Sequence, residues 1–257
     1  MQIFRHIDEE LRKVALLMQK HFQIKACPIN QFVPLNLNYF DLHLRPGIVI
    51  LSNRLFGPVT EQTIALAGVL QFIYLASRVH LGVWESSAAK EKPADSRLAY
   101  QFPVLVGDYL YGKFFTTLCD AGIVRYLAKL ADLICSINRC GILSAKLSGA
   151  KLAEGKSLSS DIVRGETAEL FACCTYLGAD LGGAGDGDRQ LMYDFGLHLG
   201  MSYGMLERGA TIKQVDRYLT AAASLLERLP QNEDNNCLAK LLTLLTKENA
   251  IVQRMVV

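Results

Sequence analysis

The segment TIKQVDRYLTAAASLLERLP, residues 211–230, has the apolar spacing of an amphipathic helix. Thr211 and Gln214 stand at its start with the spacing of a capping box, in which both side chains bind free backbone N–H groups. Pro230 closes the helix, because proline cannot continue one. Between these signals, apolar residues recur every three or four positions, at Val215, Leu219, Ala222, Leu226 and Leu229.

The same spacing extends over most of the chain. No proline occurs between Pro103 and Pro230, which permits long helices there. No well-formed alternating segment indicates a strand, and no composition shift marks a domain boundary. The sequence therefore predicts an all-α protein in which residues 1–257 form one large helical bundle. The predicted helices lie near residues 1–22, 38–56, 60–82, 104–120, 122–141, 161–182, 188–209, 211–229 and 235–254.

Composition excludes several classes of protein. The chain has 257 residues, of which 51% are hydrophobic and 20% charged, so it is not a disordered chain. A net charge of +2 indicates neither a nucleic-acid partner nor an anionic membrane surface. The longest apolar stretches, such as residues 64–77, are too short to span a bilayer, and the acidic N-terminal segment is not typical of a signal or transit peptide. We expect a soluble cytoplasmic protein without a membrane span.

The residues that commonly carry chemistry form no recognisable site. The seven cysteines contain no CxxC pair and the five histidines no HExxH pattern, so we expect buried reduced thiols and no metal site. The glycine-rich segment at residues 178–188 lacks a phosphate-binding signature and is typical of a flexible loop between helices. The acidic pairs and triplets are best interpreted as helix caps and solvated charges, at Asp8, Glu9, Glu10, Asp186, Asp188, Glu233 and Asp234.

A set of short segments, taken in order, points further. They read HLRPGIVIL at 43–51, FIYLASRVH at 72–80, VLVGDYL at 104–110, GETAELF at 165–171, FGLHLGMSY at 195–203 and Leu-Pro at 229–230. In sequence and spacing they resemble motifs of the trans-polyprenyl diphosphate synthases. Each segment is weak by itself, but the ordered set is fairly specific and covers most of the chain. The resemblance implies the helical bundle of the isoprenoid synthase type.

The same alignment shows where the chain departs from that family. The family holds magnesium on two DDxxD motifs, whose positions are taken here by Leu81, Gly82 and Glu85 and by Glu207, Arg208 and Thr211. Three residues that contact diphosphates are also replaced, by Leu42, Tyr74 and Glu166. Arg45 survives and is the one substrate-binding residue that the resemblance implies. Arg97, or Lys90 and Lys92, align loosely with the family's paired arginines.

The departures bear directly on activity. Ionising an allylic diphosphate requires metal ions held by several carboxylates, and losing one transition-state charge partner costs about 3–4 kcal/mol. We therefore expect no catalytic residue, no metal and no cofactor on this chain. The sequence resembles the noncatalytic small subunit, component I, of two-subunit heptaprenyl or hexaprenyl diphosphate synthases.

That resemblance implies a role and a partner. The chain would support prenyl elongation, for quinone (menaquinone) side chains, by a large subunit that carries both DDxxD motifs and the Mg²⁺. The contact would form through helices around the GDYL segment, roughly residues 103–139. Small residues before the first motif, Ala76 and Ser77 with Ile73 one turn away, suggest a residual apolar tunnel. Close helix packing explains the same small residues equally well.

Two other functions stay open from the sequence. The chain could be a stand-alone prenyl transferase or terpene-synthase-like enzyme, in which Glu85, Glu207 and Arg45 would carry the reaction. It could also be a prenyl-lipid-binding protein that pairs with itself and catalyses nothing.

Overall fold

The computed structural model describes residues 3–24, 27–28, 37–88, 101–151 and 160–247, with side chains at 3–22, 37–81, 101–146 and 160–246. Within these ranges the structure is almost wholly helical, which confirms the predicted all-α class. The α-helices are α1 (Asp8–His21), α2 (Tyr39–Arg54), α3 (Glu61–Ala88), α4 (Phe102–Asp120), α5 (Leu127–Lys151), α6 (Ser160–Val163), α7 (Glu169–Leu181), α8 (Asp186–Glu207), α9 (Ile212–Leu226) and α10 (Glu233–Lys247).

Short irregular elements join these helices. Single 3₁₀ turns at Arg5–Ile7 and Val124–Tyr126 lead into α1 and α5, and a π-helical segment at Arg164–Ala168 joins α6 to α7. Two-residue strands, β1 (Gln23–Ile24) and β2 (Cys27–Pro28), pair antiparallel. The sequence analysis predicted no strand, because a pairing of this length is too short to produce an alternating pattern.

The bundle is built around α3. This helix packs against α1, α2, α4 and α7, and its residues from Ile64 to Ala76 are almost all buried. The stretch Glu61–Leu81 is long and apolar enough to cross a membrane, so the sequence analysis was wrong to exclude a membrane span on the ground of length alone. Most of it is buried inside the bundle, however, which is the ordinary situation of a core helix in a helical protein.

Helix starts follow the predicted local chemistry. The Thr211 backbone N–H donates to Gln214 Oε1 at 2.8 Å, which confirms the predicted capping box on α9. Asn38 and Asp41 form an equivalent box on α2. The predicted acidic caps lie in the first turns of α1, α8 and α10. Asp234 is an exception to the expected solvation, because it is buried and accepts hydrogen bonds from His6 and Arg54.

The glycine-rich segment is mostly helical, which corrects the loop predicted at residues 178–188. Only residues 182–185 separate α7 from α8. Gly178 lies inside α7, where α2 passes so close that a Cβ at this position would lie 2.6 Å from the Val49 carbonyl oxygen. Along α8, Gly200 has a similar role, since a Cβ would lie 2.6 Å from the Ala168 Cα. Glycine here permits close helix packing, which composition alone does not distinguish from loop flexibility.

The cysteines follow the prediction only in part. Cys140, Cys173, Cys174 and Cys237 are buried free thiols. Cys119 and Cys135 are exposed, because they lie on the outward faces of α4 and α5, and Cys27 has no described side chain. Burial raises the pKa of the Cys237 thiol to about 11, so that side chain is protonated and unreactive at neutral pH.

Candidate functional site

The interior between α2, α3, α7 and α8 contains a buried cation. Arg45 is 2% exposed, and its guanidinium carbon lies 3.3 Å from the centroid of the Tyr74 ring. The rings of Phe171 and Tyr203 lie 5.5 and 6.0 Å away. These contacts are typical cation–π geometry, so aromatic faces enclose the one residue that was expected to bind substrate.

The Tyr74 ring is fixed by the start of α2. Its hydroxyl donates to Asp41 Oδ1 at 2.7 Å, while Asp41 Oδ2 accepts from the Asn38 backbone N–H at 3.1 Å. The Gln71 side-chain amide adds a bond to the Asp41 carbonyl oxygen at 2.6 Å. Burial and the neighbouring Asp41 raise the pKa of Tyr74 to about 12, so the hydroxyl remains a donor.

Arg45 lacks direct hydrogen-bond partners at two of its nitrogens. Within the described residues, Nε and Nη1 are buried and unpaired. Burial opposes its charge, but Tyr74, Tyr203, Glu207 and Asp41 outweigh that effect and hold the pKa of Arg45 above its usual value. An unsatisfied buried donor costs about 1–3 kcal/mol, so this arrangement is not optimised for stability.

The segment that aligns with the second acidic motif forms an internal ion pair. Arg208 Nη2 donates to Glu166 Oε2, and Arg208 Nη1 donates to the Gly204 carbonyl oxygen at 2.9 Å. Glu166 belongs to the π-helical segment and its side chain is only 7% exposed. Thr211, three residues further on, is the N-terminal cap of α9. Glu207 is thus the single carboxylate left in this segment.

The segment that aligns with the first acidic motif is apolar where the structure describes it. Leu81 packs against α5 so closely that a Cβ on Gly141 would lie 2.7 Å from its Cδ2. Before it, the His80 ring stacks on Tyr111 with centroids 5.6 Å apart. Gly82 and Glu85 lie on α3 with side chains outside the described part, and Lys90, Lys92 and Arg97 lie outside it altogether.

These residues do not fit a magnesium ion. Magnesium takes hard oxygen ligands, usually carboxylates, and here Leu81 and Arg208 stand at acidic positions. Among the residues whose side chains are described, no three histidine, cysteine, aspartate or glutamate side chains group together as metal ligands. At the positions whose side chains are described, the donor set therefore does not suit a metal-dependent diphosphate chemistry.

The three residues predicted to line a tunnel are brought together but buried. Ile73 and Ala76 are fully buried and Ser77 is 5% exposed. Ser77 Oγ donates to the Ile73 carbonyl oxygen at 2.8 Å and lies 3.2 Å from the Tyr111 hydroxyl. The tunnel stays a prediction, and these contacts show the close packing that was its alternative.

Sequence reasoning missed Asp41, Tyr203 and Tyr111 as parts of this region. The Asn38-x-x-Asp41 spacing is a capping-box signal that could have located Asp41 at the start of α2. Tyr203 ends a segment already singled out for its resemblance. No local pattern indicates Tyr111, because its contact with Ser77 joins two helices.

The outer faces of α4 and α5 are the second notable feature. Leu105 is 62% exposed, Phe115 48% and Ile142 55%, with Val104, Val124 and Leu143 also exposed. Gly112 lies between Leu105 and Phe115 on α4 and has open space around it. We call this surface the α4–α5 face. Large apolar side chains exposed on a helix surface indicate a surface for protein contact.

Comparisons with known proteins agree with this fold. The polyprenyl synthetase family model matches residues 41–206. Octaprenyl diphosphate synthase of Escherichia coli is 22% identical over 167 residues, covering 64% of this chain and 51% of that protein. The chain thus spans about half the length of this relative. Heptaprenyl diphosphate synthase component 2 of Geobacillus stearothermophilus is 25% identical over 205 residues, covering 78% and 63%.

Solved structures resemble the bundle over nearly its whole length. A decaprenyl diphosphate synthase from Rhodobacter capsulatus superposes with a TM-score of 0.77 at 20% identity, covering 96% of this chain and 98% of that one. Heptaprenyl diphosphate synthase from Staphylococcus aureus gives 0.76 at 17% identity, covering 95% and 99%. The isoprenoid synthase type of helical bundle, expected from the ordered segments, is thereby confirmed.

Proposed function

Because the chain belongs to the polyprenyl synthetase family, we propose that it is the noncatalytic subunit of a two-subunit long-chain polyprenyl diphosphate synthase. Its role is to support prenyl elongation by a catalytic partner, for the side chains of quinones such as menaquinone. The partner carries both DDxxD motifs and the Mg²⁺ that this chain does not hold.

One observation carries the proposal, namely the ion pair between Arg208 and Glu166. In the alignment of the ordered segments, Arg208 stands where an acid would hold metal, and Glu166 where a lysine would attract diphosphate. The chain therefore reverses the charge at both positions, and each group satisfies the other. An acid at 166 repels a polyanion, so both changes oppose metal-diphosphate chemistry at this site.

The α4–α5 face supports the presence of a partner. Its exposed residues on α4, Val104, Leu105 and Phe115, lie around the GDYL segment within residues 103–139, where the resemblance places the subunit contact. Ile142 and Leu143 lie just beyond these bounds. A partner of the same fold presents the corresponding helices, so we expect a pseudo-symmetric pair. The likeness to a protein named as component 2 of heptaprenyl diphosphate synthase is consistent with a two-component system.

The experiment is co-expression with a family member from the same genome that retains both DDxxD motifs. We expect the two chains to co-purify and to make a longer prenyl product, or to make it faster, than the partner alone. Identical product and rate with and without this chain would refute the subunit role.

Incubating this chain alone with Mg²⁺ and labelled prenyl diphosphates tests the alternative of a stand-alone enzyme. We expect no turnover above buffer. Finding only homodimers in the presence of the partner would instead favour the self-pairing lipid binder.

A further inference from the structure

We propose that Tyr74 is an internal plug that closes the Arg45 guanidinium to phosphate-type anions. The contact blocks anion binding and is present in the folded chain without a partner. It goes beyond the subunit role, because it states what prevents anions from reaching Arg45, whether or not the chain has a partner.

The first step is the chemistry of Arg45. A guanidinium carries its charge at any physiological pH and presents N–H donors that match oxyanions. Here Nε and Nη1 have no partner in the described part of the chain, although the residue is 2% exposed. The unused donors make Arg45 a latent anion-binding group rather than a satisfied structural arginine.

The second step is the cover over it. The Tyr74 ring lies at 3.3 Å from the guanidinium carbon, close enough to exclude any atom between them. Phe171 and Tyr203 approach from α7 and α8 at 5.5 and 6.0 Å. Removing the Tyr74 ring would therefore open space directly against the cation.

The third step is the latch that holds the ring. Tyr74 donates to Asp41 Oδ1, and Asp41 is itself held by its bond from the Asn38 backbone N–H. The ring cannot swing aside without breaking a bond to a helix cap. Asp41 and Glu207 also act on Arg45 electrostatically, which partly neutralises the cation without any bound ligand.

The test measures the binding of inorganic pyrophosphate to the full chain by isothermal titration calorimetry, in the absence of metal ions. We expect no saturable binding by the wild type and saturable binding by Tyr74→Ala, with an affinity at least tenfold above the weakest that the titration detects. The double variant Tyr74→Ala/Arg45→Met should lose that gain, since methionine fills similar space without charge. Wild-type binding that Arg45→Met abolishes would overturn the proposal, as would a folded Tyr74→Ala variant that binds nothing.

Tyr74→Phe is the matched control, because it keeps the ring and removes only the latch. We expect it to bind pyrophosphate more weakly than Tyr74→Ala, because the ring still covers the guanidinium even without the bond to Asp41. If it binds as tightly as Tyr74→Ala, the ring is not the plug.

A measurement on the wild type decides the question even where Tyr74→Ala fails to fold. The Nε–H proton of Arg45, assigned in ¹⁵N-arginine-labelled protein with Arg45→Lys, should be shifted upfield by the Tyr74 ring and should not move on adding pyrophosphate. A saturable shift would contradict the closed site. Both experiments use this chain without a partner, so their outcome is separate from that of the co-expression assay.

Discussion

Arg208 at the end of α8 and Glu166 in the π-helical segment form an ion pair across 42 positions of sequence. The Glu166 side chain is 7% exposed and that of Arg208 28%, so the pair lies at the edge of the bundle interior. A further bond from Arg208 to the Gly204 carbonyl oxygen fixes the guanidinium against its own helix. The pair thus joins two segments at which a catalytic family member would need free charges.

Breaking this pair should destabilise the protein measurably. We expect Glu166→Gln or Arg208→Gln to lower the free energy of unfolding by about 1–2 kcal/mol, the partial exposure of Arg208 keeping the loss below that of a fully buried pair. The double variant should lose less than the sum, because the second change removes a charge that is already unpaired. Urea unfolding followed by circular dichroism measures all three values.

The exposed pair of Arg12 and Asp8 on α1 provides the control. Their side chains are 76% and 51% exposed, so Arg12→Gln should change stability by less than about 0.5 kcal/mol. Additive effects of Glu166→Gln and Arg208→Gln would show that the two side chains do not interact in solution.

The fold could be predicted from the sequence because its signals are local. Apolar spacing, the Thr211 cap and Pro230 each act within one helix, and each predicted helix has a helical counterpart among the described residues. The helix predicted at 161–182 is divided by a π-helical segment, and residues 248–254 of the last predicted helix lie outside the described residues. The glycine-rich segment was harder to predict, because the sequence alone does not distinguish a glycine inside a helix, such as Gly178 in α7, from a glycine in a loop. What separates them is the approach of α2, which is a tertiary contact.

The candidate site was predictable only as a set of positions. The ordered segments identified Arg45, Tyr74, Glu166 and Arg208 as the residues that matter. They did not predict that these residues would pair with one another, since each pair joins different elements of the bundle. Contacts between side chains distant in sequence follow from packing, which one sequence does not specify.

The contact of α3 with α4 depends on a glycine. A Cβ on Gly107 would lie 2.5 Å from the His80 ring, which is itself stacked on Tyr111 and has little freedom to move. We expect Gly107→Ala to destabilise the protein by about 1–3 kcal/mol through overpacking. Gly112→Ala on the same helix has nothing within 4 Å and should be neutral or stabilising by up to about 1 kcal/mol. Thermal unfolding of both variants compares them, and equal effects would contradict the packing argument.

Asp180 should make stability depend on acid pH. Burial opposes its charge, but hydrogen bonds from Tyr126 and Arg189 outweigh burial and lower the pKa of Asp180. A lowered pKa in the folded state gives stability that is present above the unfolded pKa, about 3.9, and is lost as pH falls through the folded pKa. Asp180→Asn should therefore be less stable than the wild type at pH 6, with a gap that narrows below about pH 4. Urea titrations across this range measure the gap, and a constant gap would exclude the linkage.

Substitutions on the α4–α5 face should weaken partner binding without changing the fold. Leu105 is 62% exposed, so Leu105→Glu leaves the core unchanged. Phe115 is 48% exposed, but its ring centroid lies 4.6 Å from that of the buried Phe114, so circular dichroism first checks that Phe115→Glu is folded. In the proposed assembly with a catalytic chain, each variant would bury a carboxylate in an apolar contact, which costs several kcal/mol unless the carboxylate is paired. We expect at least a hundredfold weaker association with the catalytic chain and a matching loss of the long prenyl product.

Leu16→Glu is the control, since Leu16 is 65% exposed on α1 and the substitution should leave association unchanged. Surface plasmon resonance with the immobilised partner gives the affinities, and normal binding by both α4 variants would place the subunit contact elsewhere on the bundle.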